Sequence, residues 1–385
     1  MLEKALGGHK AYKGLVVLLL VIIGIGFLNY LRQWSYGLGI TGMSRNVSWG
    51  LYIGQFTFLV GVAASAVMLV LPYYLHDYKV FGRITVLGEF LAVASVIMCL
   101  TFILVDLGRP DRAFNVLLYP TPNSVLFWDM VVLNGYLFLN IVIGWTILGC
   151  ERRGAPPPKW ARVLIYISIP WAVSIHTVTA FLYSGLPGRG FWLTAIMAPR
   201  FLASAFAAGP ALLILICLLL RKYKWFDAGW QAISTLSKIV TYALVVSTFF
   251  IACELFTVFY SQIPEHMSSF AYLFVGLHGK GNLVPMMWLF VILTVIALIV
   301  MINPRTRESP VYLTIGCLTT FFSLWIEKGV SLVIGGFIPS PVETITQYWP
   351  TFPEISITLG VWSIGFLILV ILYKVSLGVR EELEA

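Results

Sequence analysis

Apolar residues gather into runs long enough to cross a bilayer, and charged residues are mostly confined between them. A spanning helix needs about 20 mostly apolar residues. Ten stretches qualify, near 14–33, 49–75, 83–105, 124–148, 161–184, 192–220, 236–261, 283–302, 311–333 and 355–378. The segments between them are short and rich in charge, proline or glycine: HDYKVFGR, GRPDRAFN, ERRGAPPPKWAR, LPGRG, RKYKWFD, PEHMSS, NPRTRESP and IPSPVETITQYWP. Hydrocarbon offers the backbone no hydrogen-bond partner, so each run must satisfy its own amides and carbonyls as a helix. The pattern predicts an all-α integral membrane protein, a single polytopic domain over residues 1–385. The first run has a positive flank and continues from Gly14 through Phe27 into LNYL with no small-residue cleavage motif. It therefore reads as a retained helix and not as a signal peptide.

The chain echoes itself. Trp49 precedes Phe58-Leu59 in FLVGVAASA as Trp192 precedes Phe201-Leu202 in FLASAFAAG. The two segments run in the same direction four helices apart, which implies a repeat about an axis along the membrane normal. Helices 2–5 (49–184) and 6–9 (192–333) would then form two four-helix bundles, with helices 1 (14–33) and 10 (355–378) peripheral. Small residues in both segments would also permit close helix packing without any repeat.

Composition agrees with the pattern. Hydrophobic residues make up 59% and charged residues only 11%, against about 25% charged in soluble domains. The 13 Trp and 18 Tyr suit interfacial belts. With the N-terminus inside, 17 of the 25 Lys and Arg residues, from Lys4 to Arg380, fall on the inner side. Ten helices return the C-terminus to that side, giving an N-in, C-in protein of the cytoplasmic membrane. The net charge of +8 is thus topological, and no basic run is long enough to suggest nucleic acid. The five cysteines stand apart without a CxxC pair, which excludes an iron–sulfur cluster and a disulfide framework. Of His9, His76, His176, His266 and His278, only His176 falls well inside a run, so no histidine pair exists to hold a heme. HGKGN lacks the spacing of a phosphate-binding loop.

A charged side chain in the bilayer costs about 2.5–3.5 kcal/mol on insertion scales, so each needs a reason. Asp129 lies one turn into helix 4, with Tyr136 and Asn140 on the same face. His176 lies in the outer half of helix 5, with Thr179 and Tyr183 on its face. Two polar stripes at overlapping depth on adjacent helices suit a quinone. It needs a flat apolar slot, hydrogen bonds to its carbonyl oxygens, and a group that exchanges protons as electrons move. Interhelical packing is the structural alternative. Arg109, in DLGRPDR at the outer end of helix 3, is placed to cap carbonyls or to pair with Asp106 or Asp129. Trp49 and Tyr52, in SWGLYIG, are placed to anchor at the interface or to flank a ring. Glu89, Asn140, Tyr136 and Asp129 trace a conceivable proton path, with Glu254 a further buried acid. Glu327 and Lys328 read as a structural pair, and Arg200 lies within helix 6.

SWGLYIGQFTFLVGVAASAVM, LGEFLAVASVIM, DLGRPDR, PNSVLFWDMVVLNGYLFLNIVIGW, and SIHTVTAFLYSGLPGRGFW leading to FLASAFAAGPALL occur in that order. Together they resemble the NrfD / polysulfide reductase (PsrC-like) membrane-subunit family over nearly the whole chain, nearest its DsrP branch. The resemblance implies a subunit without heme or cluster that binds menaquinone noncovalently. It would exchange electrons between menaquinone or menaquinol and a ferredoxin-like iron–sulfur subunit on the outer face, in some members with proton movement. For the Dsr-type complex of sulfite reduction it further implies a multiheme cytochrome c, a b-type cytochrome membrane subunit and a cytoplasmic iron–sulfur subunit. Asp129 matches the aspartate of FWD, and His176 the histidine of SIHT. Such a subunit is not catalytic alone. The rival is a secondary transporter, whose helices break near the midplane; here Pro210 is the main internal break. A passive anchor leaves Asp129 and His176 unexplained.

Overall fold

The structure is a computed structural model that describes Glu3 and residues 10–384; Lys4 and His9 lie outside the described residues. Ten helices have membrane length and hydropathy. They are α1 (Lys10–Tyr36), α2 (Leu51–Leu75), α3 (Thr85–Asp106), α4 (Val125–Arg153), α5 (Lys159–Ser184), α6 (Met197–Lys222), α7 (Trp230–Tyr260), α8 (Val284–Ile302), α9 (Pro310–Gly335) and α10 (Phe352–Glu384). No strand occurs among the described residues. The protein is an all-α, multi-pass membrane protein.

Two expectations need correction. Trp192, expected to open helix 6, ends a separate single turn, Gly190–Trp192, and α6 begins at Met197. PEHMSS, expected as a loop, opens an 11-residue helix, Pro264–Phe274. Proline favours the first helical turn, and the buried His266, Ser269, Phe270 and Leu273 repeat at helical spacing, giving this segment a face to pack.

Within each half the helices pack in chain order: α2 on α3, α3 on α4 and α4 on α5, then α6 on α7, α7 on α8 and α8 on α9, which closes back on α6. The halves meet where α2 packs on α6 and α9, and α5 on α6. α10 lies on α3, and α1 on α10. The core of α1 is only 11% buried, against 78% for α3 and α9, so α1 turns most of its surface to lipid. Glycines mark the closest approaches. A Cβ on Gly54 of α2 would collide with the Gly329 carbonyl oxygen of α9. One on Gly209 of α6 would lie 2.6 Å from the Val62 carbonyl oxygen of α2, and one on Gly26 of α1 2.8 Å from Gly360 Cα of α10. Lipid supplies no hydrophobic drive for helices to associate, so backbone proximity and interhelical hydrogen bonds hold them together.

Two such bonding groups tie neighbouring helices near the start of α2. The fully buried carboxylate of Glu354, on α10, accepts hydrogen bonds from Gly42 N (2.9 Å), Leu51 N (3.2 Å) and the Tyr348 hydroxyl. It caps α2 from another helix, meeting unpaired amides and the positive end of the dipole with a negative charge. Burial and this carboxylate push the Tyr348 phenol, in the loop before α10, well above its ordinary range. Gln33 of α1 accepts from the Tyr52 hydroxyl (2.8 Å) and donates to the Val105 carbonyl of α3 (2.6 Å).

Candidate functional site

α4 and α5 place Asp129 and Thr179 face to face, and the Thr179 hydroxyl donates to Asp129 Oδ1 at 2.6 Å. One turn outward on α5, the Tyr183 hydroxyl is hydrogen-bonded to Thr57 of α2. His176 lies one turn inward from Thr179, fully buried. Its Nδ1 donates to the Ala172 carbonyl at 2.7 Å, which leaves Nε2 as the acceptor of a neutral ring. Nε2 has no partner. Asp129, Thr179, His176 and Tyr183 therefore share one polar seam, although Asp129 bonds to Thr179 and not to the imidazole.

His176 opens onto a cavity where the two halves meet. Thr57, Phe58 and Gly61 of α2 line one side, and Phe201, Ser204 and Ala208 of α6 the other, with Leu324 and Lys328 of α9 opposite His176. Phe58 and Phe201, the two phenylalanines of the sequence echo, thus face the same space. The cavity is about 10 Å³, room for roughly one water molecule. The Lys328 ammonium lies 4.3 Å from the Phe201 ring centroid and 3.5 Å from Glu327 Oε1, without a hydrogen-bond partner. Glu327 pairs with Arg200 of α6, and all three charged side chains are buried. They project from a π-helical turn, Glu327–Leu332, where α9 widens by one residue per turn, and from the facing turn of α6. Such widened turns recur at functional sites because they re-aim side chains that a regular helix would stack. The sequence marks this centre by Arg200 within helix 6 and by a Glu-Lys pair in an apolar run, read there as a structural pair. Its real counter-ion, Arg200, comes from another helix.

At the end of the bundle where α2 begins, Trp49 and Trp192 stack with ring centroids 5.9 Å apart and planes at 28°. Tyr183 meets both indoles edge-on, and so does Phe337. Trp192 Nε1 donates to the Leu332 carbonyl at 2.7 Å, fixing the cluster to the widened part of α9.

Other expected site residues lie elsewhere. Tyr52 bonds to Gln33 on the α1 side while Trp49 packs toward α5 and α6, so the two do not flank a common ring. Arg109 pairs with neither Asp106 nor Asp129. It is exposed and holds Asp111 through two 3.0 Å bonds, which keep the Asp111 carboxyl below its usual range. α3 ends at Asp106, before the proline expected to stop it, and Pro110 opens a separate single turn, Pro110–Arg112. Glu254 lies toward the C-terminal end of α7, accepting from Thr194 (2.8 Å) and 4.0 Å from His266 Nδ1, apart from the α4 stripe. Asp129, Tyr136 and Asn140 do share the buried face of α4. Their hydrogen bonds do not form a wire, because Asn140 donates to the Tyr136 carbonyl and the Tyr136 hydroxyl to the Ala63 carbonyl (3.4 Å). Both oxygens of buried Glu89 are unpartnered, with Gly144 of α4 beside them.

Residues 39–338, covering both halves and every helix of the seam, match the family described as polysulphide reductase, NrfD. The chain belongs to the NrfD family. Its NrfD relatives include a membrane protein of Halobacterium salinarum named for dimethyl sulfoxide reductase, 28% identical over 92% of this chain and 88% of that protein. The Hdr-like menaquinol oxidoreductase integral membrane subunit of Archaeoglobus fulgidus is 24% identical over 88% and 82%. The menaquinone reductase integral membrane subunit of Nitratidesulfovibrio vulgaris is 21% identical over 92% and 88%. Similarity thus spans the length of each NrfD protein and is not confined to one bundle.

Proposed function

We propose that this NrfD protein is the quinone-interacting membrane subunit of a respiratory electron-transfer complex. In this reading menaquinone is its lipid-soluble carrier, and a ferredoxin-like iron–sulfur subunit docks on its outer face. The observation that carries the reading is the seam itself. It holds a buried carboxylate and a buried imidazole with an open acceptor, at one depth on adjacent helices. Two relatives are named for menaquinol or menaquinone reactions. The separated cysteines and lone intramembrane histidine leave electrons to be carried by the quinone and by a partner. A Dsr-type assembly, with its multiheme cytochrome c, b-type cytochrome and cytoplasmic iron–sulfur subunit, is the finer form of this proposal.

The donor set fits a quinone's need for proton exchange, but the packing leaves no room for its ring. Asp129 closes on Thr179, and the cavity beside His176 holds about one water. Quinone supplies the two-electron, two-proton chemistry when bound, and the chain's own residues hold the protons. Asp129 is set to take or give one at its carboxylate under the Thr179 hydroxyl, and His176 at Nε2. Asp129→Asn and His176→Ala are each expected to lower quinol-linked electron transfer about 100-fold or more, the usual reach of a positioned acid or base. Blue-native gels should show the complex still assembled. Full rates in both variants would reject the assignment.

The transporter reading draws on one observation, the buried Arg200–Glu327–Lys328 group on the widened α9. Ion uptake by vesicles holding this chain alone would favour it.

A further inference from the structure

We propose that the cleft where the inner ends of α3, α6 and α10 converge is a binding site for the phosphate headgroup of an anionic membrane phospholipid. This cleft, of about 440 Å³, is unrelated to the seam and lies at the opposite end of the bundle. Four basic side chains line it, Arg83, Arg221, Lys224 and Arg380, against two acids, Asp227 and Glu381. Lys and Arg content assigns this end to the cytoplasmic leaflet, where anionic lipids gather and where basic clefts between helices take their headgroups.

The basic groups are fixed, not loosely distributed. The Arg83 and Arg380 guanidiniums lie 5.7 and 5.2 Å from the Phe226 ring centroid. Arg380 also donates to the Arg83 carbonyl at 2.5 Å and to Glu151 of α4. Arg221 lies 5.6 Å from the Trp230 ring centroid and 3.7 Å from Asp227. Planar donors held in place this way match phosphate oxygens at little ordering cost.

Lys224 is the distinctive member. It follows α6 with φ +57°, the left-handed position that glycine normally fills after a helix. The adjoining Trp225 N donates to the Leu220 carbonyl at 3.0 Å. A lysine here carries backbone strain that glycine would relieve, and the position that bears it lines the cleft.

The rim separates a lipid headgroup from a free phosphate. Tyr223 and Trp225 stack with centroids 5.2 Å apart, and both are more than half exposed. One turn back, Leu219 of α6 is exposed as well. An aromatic pair above an apolar flank marks the level where headgroups meet acyl chains. A free anion has no use for that flank.

The test uses the full chain purified in an uncharged detergent. Diphosphatidylglycerol, phosphatidylcholine and sodium phosphate are the probes, read by melting temperature and by lipid retained in native mass spectra. Diphosphatidylglycerol should raise the parent's melting temperature and remain bound, while phosphatidylcholine and sodium phosphate do neither. Without lipid, Lys224→Gly should melt at or above the parent, because it relieves strain, yet bind diphosphatidylglycerol about fivefold more weakly. Arg221→Gln should weaken it by a similar factor. Parent-like binding by both variants would overturn the proposal, as would equal retention of phosphatidylcholine. Stabilisation by sodium phosphate alone would instead make the cleft a free-anion site. Stabilisation by a glutamate-rich peptide, with the lipid inert, would make it a protein-docking site.

Discussion

Without the Glu327 carboxylate, Arg200 and Lys328 would face each other in a dry interior with no counter-charge. Removing one member of a buried ion pair costs about 3–5 kcal/mol, whereas replacing the pair by apolar residues is often nearly neutral. Glu327→Gln is thus expected to lower the melting temperature of the purified chain sharply, and the triple variant Arg200→Met, Glu327→Leu and Lys328→Met to recover most of the loss. If Glu327→Gln melts like the parent, the carboxylate is not what holds α6 to α9. Individual charges of this kind are legible in a sequence because a membrane makes each one costly. Asp129 and His176 stand out for that reason, and both are buried. Their partners are not legible. Nothing in local spacing says that Asp129 meets Thr179, that Tyr183 meets Thr57, or that Glu327 answers Arg200, because each bond joins different helices.

Helix existence and length follow from hydropathy, and all ten long helices lie close to the apolar runs. Features that leave hydropathy unchanged do not show. The one extra residue per turn of Glu327–Leu332 is such a feature, and so is the 11-residue helix Pro264–Phe274, too short to stand out from a loop. Helix contacts through glycine give a direct check. Gly→Ala in a helix interior normally stabilises by about 0.5–1 kcal/mol. At Gly24 of α1, where a Cβ would meet nothing within 4 Å, that gain should appear. At Gly54, where it would strike the Gly329 carbonyl, overpacking should reverse the sign and cost about 1–3 kcal/mol. Thermal melts of the two variants in the same detergent would show opposite shifts. Equal shifts would mean that α2 and α9 are not in backbone contact.

Orientation rests on charge bias alone. A fluorescent protein fused after Ala385 should fold and emit in the cytoplasm, and a periplasmic phosphatase fused there should stay inactive. The reverse pattern would invert the bundle and move the proposed partner to the other side. The loop between α3 and α4 exposes Phe114, Leu118 and Tyr119, each at least 70% accessible. If the proposed iron–sulfur subunit docks on this loop, Phe114→Ser with Leu118→Ser is expected to weaken its co-purification several-fold while leaving the chain's own stability within about 0.5 kcal/mol of the parent, as for most surface changes. Undiminished capture would move the docking surface elsewhere. The sequence echo carried more information than its few residues suggest, since its two tryptophans are the rings that stack between the halves.

The α1–α10 contact also bears on how the protein is made. α1 rests on α10, and more than three hundred residues separate the end of one from the start of the other. During synthesis α1 must wait in the lipid without its main packing partner until α10 leaves the ribosome. Its lipid-facing surface suits that wait, and the single buried amide of Gln33 is the exception, a polar group held in hydrocarbon until the neighbouring helices arrive to receive it.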